Sequence, residues 1–199
     1  MKQILLLVLV LSMYSCKYDE PKAKYAYETN PKFSWGFVSY FGAYYNDYNN
    51  TNHVVSLSLF TDSLRLNAGK LEGLGQYLYI EDVFIPANKQ ILPPGTYVAS
   101  EKGEAFTFYP GKQFQVDEYK INDGAFIYYF EKLKSFTAMK HIVRGTFDVA
   151  IADNKHVITC NFVLSDSSRI QGSFNAELPH FDLSNQRLLE LPRRKLFGY

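Results

Sequence analysis

Short segments in which apolar and polar residues alternate recur along most of this chain, and turn-forming residues separate them. In the run 156–164, Ile158, Cys160, Phe162 and Leu164 fall on one side of an extended strand, because successive side chains point to opposite faces. The 16 tyrosines and 16 phenylalanines add to this pattern, since aromatic residues favour strands. The sequence therefore predicts an all-β fold.

The alternating segments set the expected strands and their connections. We expect strands at 33–41, 54–60, 64–66, 76–84, 95–100, 105–109, 125–131, 143–151, 155–164 and 169–178. Turn clusters at 152–154 and 165–168 predict an antiparallel meander for the last three. Many short strands favour a single antiparallel β-sandwich or β-barrel, and periodicity does not choose between them. The segment 183–191 resembles a helix that Pro192 would end, so residues 181–199 are expected to form a short helical or disordered tail.

The N-terminus carries the pattern of an exported protein. Lys2 precedes an apolar run at 4–11, which is too short to span a bilayer, and Ser15 precedes Cys16. This arrangement resembles the lipobox of Bacteroidota-type lipoproteins, although Tyr14 stands where the strict pattern has a small residue. The resemblance implies a signal peptide at 1–15 and a lipid on Cys16, and the alternative is an ordinary cleaved leader.

Residues 16–30 are predicted to be a lipidated cysteine and a tether, followed by a β domain at 31–180 and the tail at 181–199. The tether begins with a lysine and then two acids, which resembles the surface-export signal of the same lipoproteins. That resemblance implies an outer-membrane protein, held in the membrane through Cys16 and facing the cell exterior. The alternative is the periplasmic face, with a tether that is merely charged and solvated.

Six motifs between residues 75 and 178 resemble a recurrent pattern of small Bacteroidota lipoproteins. They lie at 75–80, 91–97, 109–111, 145–147, 157–164 and 169–174, and they include a Pro-x-Gly-Thr-Tyr turn, an apolar strand and a Gly-Ser-aromatic strand. The resemblance implies a β-rich domain whose biochemical function is generally unassigned. A calycin-like barrel is one fold that it is compatible with. It carries over no catalytic residue and no cofactor.

The composition and the spacing of reactive residues weigh against several kinds of chemistry. The 21 basic and 20 acidic residues nearly balance, so we expect no nucleic-acid partner. The four histidines lack metal-ligand spacing, and Cys160 is expected to be a buried core thiol. Glu81 and Asp82 are expected on opposite faces of a strand and so not as a catalytic pair. We therefore predict a non-catalytic protein without metal or cofactor, while a dispersed active site would escape this reasoning.

One segment combines aromatic rings with amide and carboxyl groups and is the candidate ligand-binding site. Rings can pack on the C–H groups of a sugar, while Asn and Asp supply donors and acceptors for its hydroxyls. The alternative is a purely structural role, in which the segment is the end of a strand with core aromatics followed by an Asn-rich turn. The candidate residues are Tyr40, Tyr44, Tyr45, Asn46, Asp47, Tyr48 and Asn49.

Two other binding hypotheses and one modification remain. A barrel could carry a small apolar ligand in an interior lined by Tyr79, Phe106, Phe108 and Phe147, or the same side chains could fill that interior. A protein partner at the cell surface would make the domain an interaction or adhesion module. Residues 62–64 resemble the O-glycosylation sequence of exported Bacteroidota proteins, which would place a glycan on Ser63, although Asp-Ser is also ordinary turn chemistry.

Overall fold

A computed structural model describes residues 26–67, 70–130 and 138–187, with side chains up to Asn185. The predicted leader, Cys16 and the first part of the tether lie outside these residues, as does the tail from 188 onward. Residues at the end of the predicted tether contact the domain, since the Tyr27 ring meets that of Tyr129 edge-on at 4.6 Å between centroids. The amide of Glu28 donates to the side-chain oxygen of Gln76.

The described part of the chain is all-β. Its strands are β1 (Lys32–Gly42), β2 (His53–Thr61), β3 (Leu64–Asn67), β4 (Lys70–Gly73), β5 (Gly75–Ile85), β6 (Gly95–Ala99), β7 (Thr107–Phe108), β8 (Lys112–Val116), β9 (Tyr119–Asp123), β10 (Ala125–Phe130), β11 (Ala138–Ala152), β12 (Lys155–Leu164), β13 (Arg169–Ile170), β14 (Ser173–Ala176) and β15 (His180–Asp182). Helical geometry within the described ranges is limited to a 3-10 turn at Asn46–Tyr48 and one turn at Ser184–Arg187. That turn lies inside the segment predicted to be helical.

One large sheet holds most of the strands, and its hydrogen bonds form a closed ring. The ring runs through β1, β2, β5, β10, β11, β12 and β14 and back to β1. β3 with β4, and β8 with β9, form two separate hairpins. The ring encloses the main apolar core.

The sheet is mixed, so the prediction of a wholly antiparallel sheet was wrong. β1 pairs in parallel with both β14 and β15, and β6 pairs in parallel with β7. Short turns specify the direction of strands that follow each other closely, as in the antiparallel pair β11 and β12. β1 and β14 lie near opposite ends of the described chain, so no local turn sets their direction.

Two predicted strands are shorter or broken. The strand at 105–109 is only β7, because Phe106 has a φ of +64°, which interrupts an extended backbone. The strand at 169–178 divides into β13 and β14 at Gln171 and Gly172, where a side chain on Gly172 would meet the Phe33 ring at 2.6 Å. The sequence analysis also missed β4, β8, β9 and β15, which are short strands of three to five residues.

Aromatic rings fill the interior of the ring of strands. Tyr97 stacks on Phe147 at 4.6 Å between centroids, and Phe147 lies 5.6 Å from Phe108. These three side chains are fully buried. Tyr79 is not an inward residue as predicted, because its neighbours Leu78 and Ile80 occupy the core. The inward rings contact one another, so they form a packed core.

Cys160 belongs to the same core, as the alternation predicted. Its side chain is buried together with those of Ile158, Phe162 and Leu164. Burial raises the pKa of the thiol far above its ordinary value, which keeps it protonated and unreactive.

Candidate functional site

The segment between β1 and β2 is held against a distant loop. Its 3-10 turn ends at Asn49, which adopts the left-handed conformation that Asn tolerates. The side-chain amides of Asn50 and Asn52 both donate to the carbonyl oxygen of Gly103, at 2.9 and 3.0 Å. A side chain on Gly103 would collide with the Asn50 amide at 2.6 Å. Two amides on one carbonyl thus fix the segment in place.

Tyr45 joins this segment to the sheet beneath it. Its hydroxyl donates to a carboxyl oxygen of Asp82 at 2.7 Å, and both side chains are buried. Its ring packs beside Phe84 and Tyr109 in a small apolar cluster separate from the main core. A buried carboxyl group needs such a partner, because leaving it without hydrogen bonds costs several kcal/mol.

A β-bulge places Asp82 on this side of the sheet. Val55 pairs with Val83 and Leu57 with Ile80, so Glu81 and Asp82 together oppose one residue of β2. The core residues on either side, Ile80 and Val83, show that both acids lie on the outer face. The prediction that they occupy opposite faces was wrong because it assumed a regular strand. Asp82 is bound to Tyr45, whereas Glu81 accepts a long hydrogen bond from the Gly124 amide.

The β8–β9 hairpin stands at the other side of the same region. Its base is tied to the sheet, where the amide of Gly111 donates to the carbonyl oxygen of Ile142 at 2.7 Å. Gly124 closes the base with a φ of +87°, a conformation that glycine adopts without strain. The hairpin carries Lys112 and Phe114 on β8.

A pocket of about 330 Å³ lies between this hairpin, the β1–β2 segment and the loop around Gly103. Its volume falls at the lower end of the range for small-molecule sites. The lining residues are Tyr45, Tyr48, Asn50, Glu101, Lys102, Tyr109, Lys112 and Phe114.

The pocket combines ring surfaces with charged groups. The Lys112 ammonium lies 5.1 Å from the centre of the Phe114 ring and 3.5 Å from a carboxyl oxygen of Glu101. Tyr48 is 41 % exposed, so part of its ring is open to a ligand. Such a lining offers flat apolar surfaces together with several donors and acceptors, and it is suited to binding a polar molecule that has apolar faces.

Two of the predicted ligand-binding residues, Tyr45 and Tyr48, line this pocket. Tyr44 packs edge-on against Tyr45 at 4.9 Å between centroids, while Asn46, Asp47 and Asn49 are exposed on the 3-10 turn. Tyr40 is buried elsewhere, with its hydroxyl 2.9 Å from the Nδ1 atom of His53. Sequence reasoning missed the residues between 101 and 114, because no local pattern links them to the β1–β2 segment.

The described residues contain no group of three or more His, Cys, Asp or Glu side chains that could hold a metal ion. Two histidines nevertheless meet in the fold, since the rings of His156 and His180 lie 5.6 Å apart. The Nε2 atom of His180 accepts a hydrogen bond from the Leu92 amide. Neither ring nitrogen of the buried His156 makes a hydrogen bond of good geometry with the described residues, although the Leu92 backbone partly offsets the effect of burial on the pKa of this ring.

This histidine pair predicts that the protein loses stability in mild acid. Burial lowers the pKa of both rings, and His156 lowers that of His180 further. Their unfolded pKa is about 6.5, so the unfolded chain binds more protons in this range and stability should fall as pH drops below that value. Urea unfolding of the wild type and of H156Q/H180Q between pH 7.5 and 5.5 would test this. We expect a steeper loss in the wild type, and parallel curves would contradict the prediction.

Ser63 lies in the exposed turn between β2 and β3, beside the fully buried Leu64. Its glycosylation stays a prediction. Cys16 lies outside the described residues. No helix within the described ranges is long and apolar enough to cross a bilayer.

Comparison with known proteins found no protein-family model, no curated protein and no solved structure that matches this chain.

Proposed function

We propose that this domain binds a carbohydrate in the pocket between the β1–β2 segment and the β8–β9 hairpin. The observation that carries the proposal is the lining itself, which combines tyrosine and phenylalanine rings with amide, carboxyl and ammonium groups. No metal or cofactor is part of the proposal, and the role is binding without catalysis.

The ring surfaces would supply the apolar part of the binding energy. The partly exposed Tyr48 and the half-buried Phe114 come from different elements and line one pocket. Sugar rings present C–H groups on their faces, and aromatic rings bury such groups without requiring a hydrogen bond. A ligand between these two rings would lose water from an apolar surface.

The polar groups would set the orientation of the ligand. Asn50, Lys102 and Lys112 can donate hydrogen bonds, and Glu101 can accept them. Hydroxyl groups both donate and accept, so a sugar can use the whole set. The side-chain nitrogen of Asn50 already donates to Gly103, and its side-chain oxygen already accepts from the Asn52 amide. Asn50 is therefore held in place, and its second N–H and its second oxygen lone pair are the groups that it can offer to a ligand.

The fixed position of the β1–β2 segment favours binding. Asn50 and Asn52 bind the Gly103 carbonyl, and Tyr45 binds Asp82, so much of the pocket wall is ordered without a ligand. A site that is already ordered avoids the entropy cost of ordering side chains and loops on association.

We further propose that the protein is a lipoprotein of the Bacteroidota type, attached to the outer membrane through Cys16 and facing the cell exterior. The leader pattern and the acidic residues that follow the cysteine support this cellular location. The part of the tether before Tyr27, about ten residues, would hold the domain away from the lipid surface, where glycans of other cells and of the surroundings are accessible.

Calorimetric titration of the domain with soluble oligosaccharides tests the carbohydrate proposal. The panel would contain chito-, cello-, xylo- and galacto-oligomers, and at least one should bind. Y48A and K102A should each weaken that binding at least about tenfold, which corresponds to about 1.4 kcal/mol. Both side chains are exposed at the pocket, and Tyr48 meets the buried cluster only through an edge contact with Tyr45 at 6.3 Å between ring centroids.

Y119A is the matched control, because Tyr119 is 67 % exposed on the β8–β9 hairpin and does not line the pocket. It should bind as the wild type does. The proposal is wrong if no oligosaccharide of the panel binds, or if Y48A and K102A bind with unchanged affinity.

A further inference from the structure

A ladder of stacked aromatic rings crosses the outer face of the sheet and ends at the chain's single tryptophan. Trp35 pairs with Phe60, Phe60 with Tyr77, and Tyr77 with Tyr128, each directly across neighbouring strands. Their centroids lie 3.9, 4.3 and 5.6 Å apart with nearly parallel planes. Side chains at such opposed positions stabilise one another, so the ladder is rigid.

Trp35 is held at both its ring face and its polar edge. One face lies on Phe60, which is 2 % exposed, and the indole N–H donates to the carbonyl oxygen of Leu64 at 2.8 Å. The polar atom of the ring is therefore satisfied within the protein. The ring itself is only half-buried, which leaves apolar surface uncovered at a fixed position.

That uncovered surface lines a shallow cleft of about 390 Å³ at the β2–β3 turn. The cleft is formed by Trp35, Asp62, Leu64, Arg65 and Leu66. Asp62 and Arg65 are exposed, and Leu66 is 50 % exposed. The cleft shares no residue with the proposed carbohydrate pocket. The pocket lies at the segment that joins β1 to β2, whereas Trp35 pairs with Phe60 at the far end of the same hairpin.

The chemistry of the cleft matches one pyranose unit. The partly exposed indole ring can pack against the C–H groups of a sugar, the Arg65 guanidinium can donate to ring hydroxyls, and the Asp62 carboxyl group can accept from them. One positive and one negative side chain balance each other, so the cleft favours no ionic ligand. The exposed Leu66 extends the apolar surface beside the indole.

We propose that the Trp35 cleft is a second carbohydrate-binding site, independent of the pocket. It would bind one neutral pyranose unit through the indole face, with Arg65 and Asp62 selecting the hydroxyl pattern. Two sites at opposite ends of one hairpin would let a single domain contact two points of a polymeric glycan, which raises the effective affinity when both are engaged.

The single tryptophan makes the test direct, because its emission reports this cleft alone. Methyl glycosides of glucose, galactose, mannose, xylose and N-acetylglucosamine are titrated to about 50 mM, which would nearly saturate a site with a dissociation constant of about 1 mM. At least one should change the Trp35 emission in a saturable way. R65A and D62A should weaken that response at least about tenfold.

Two controls separate the cleft from other effects. N67A changes an exposed residue of the same hairpin outside the cleft and should titrate as the wild type does. Y48A should also leave the response unchanged, so failure of the pocket proposal does not affect this one. The inference is overturned if no glycoside gives a saturable change, if R65A and D62A titrate like the wild type, or if Y48A abolishes the response.

Discussion

Replacing Cys16 with serine should move the protein from the membrane fraction to the soluble fraction of the cells that make it. Two or three acyl chains on one residue bind a membrane stably, whereas a single chain gives only marginal, reversible attachment. Serine has no thiol to receive the lipid, so no chain would be added there. Because attachment depends on this one group, we expect the loss to be essentially complete.

Cell fractionation followed by intact-mass measurement would check this result. The chain has two cysteines, so C160S is the matched control. Cys160 is a core residue, and its replacement should leave the protein in the membrane fraction with the added mass of the lipid. Membrane attachment of C16S, or an unmodified mass for the wild type, would show that the lipoprotein assignment is wrong.

Replacing Gly111 with alanine should destabilise the domain by about 1 to 3 kcal/mol and disturb the pocket. The added methyl group would overlap the carbonyl oxygen of Ala125 and approach the Cβ atom of His141 at 3.0 Å. Both neighbours belong to the sheet, so the base of the β8–β9 hairpin would have to move. Lys112 and Phe114 follow directly on that hairpin, and their displacement should weaken oligosaccharide binding as well.

Urea unfolding compares G111A with Q115A, which changes an exposed residue of β8, the strand that follows Gly111. Surface changes of that kind usually alter stability by less than about 0.5 kcal/mol, so Q115A should unfold like the wild type. Equal unfolding midpoints for G111A and the wild type would mean that the hairpin base tolerates a side chain. The close packing at Ala125 would then not fix the pocket.

The alternating pattern was sufficient for most of the fold because it acts locally. Most central strands were predicted within one residue of their observed bounds, although β11 begins at Ala138, five residues before its predicted start. Cys160 was placed correctly in the core, since burial on one face imposes a period of two on the sequence. Local irregularities escaped the same reasoning. The bulge at Glu81 and Asp82 and the positive φ of Phe106 depend on the strands beside them, and no pattern within these segments indicates either.

The candidate site likewise has a part that the sequence predicted and a part that only the tertiary structure revealed. The amino-acid sequence by itself identified the aromatic and amide-rich segment after β1, because its composition differs from that of a plain turn. Only the tertiary structure buried Tyr40 away from the pocket, left Tyr48 partly exposed, and brought Lys112 and Phe114 to the same pocket as Tyr45 and Tyr48. The pairing of β1 with β14 and β15 was likewise decided in three dimensions. Residue type and periodicity record what each segment must bury, whereas contacts across about sixty to one hundred and forty residues depend on how all segments pack together.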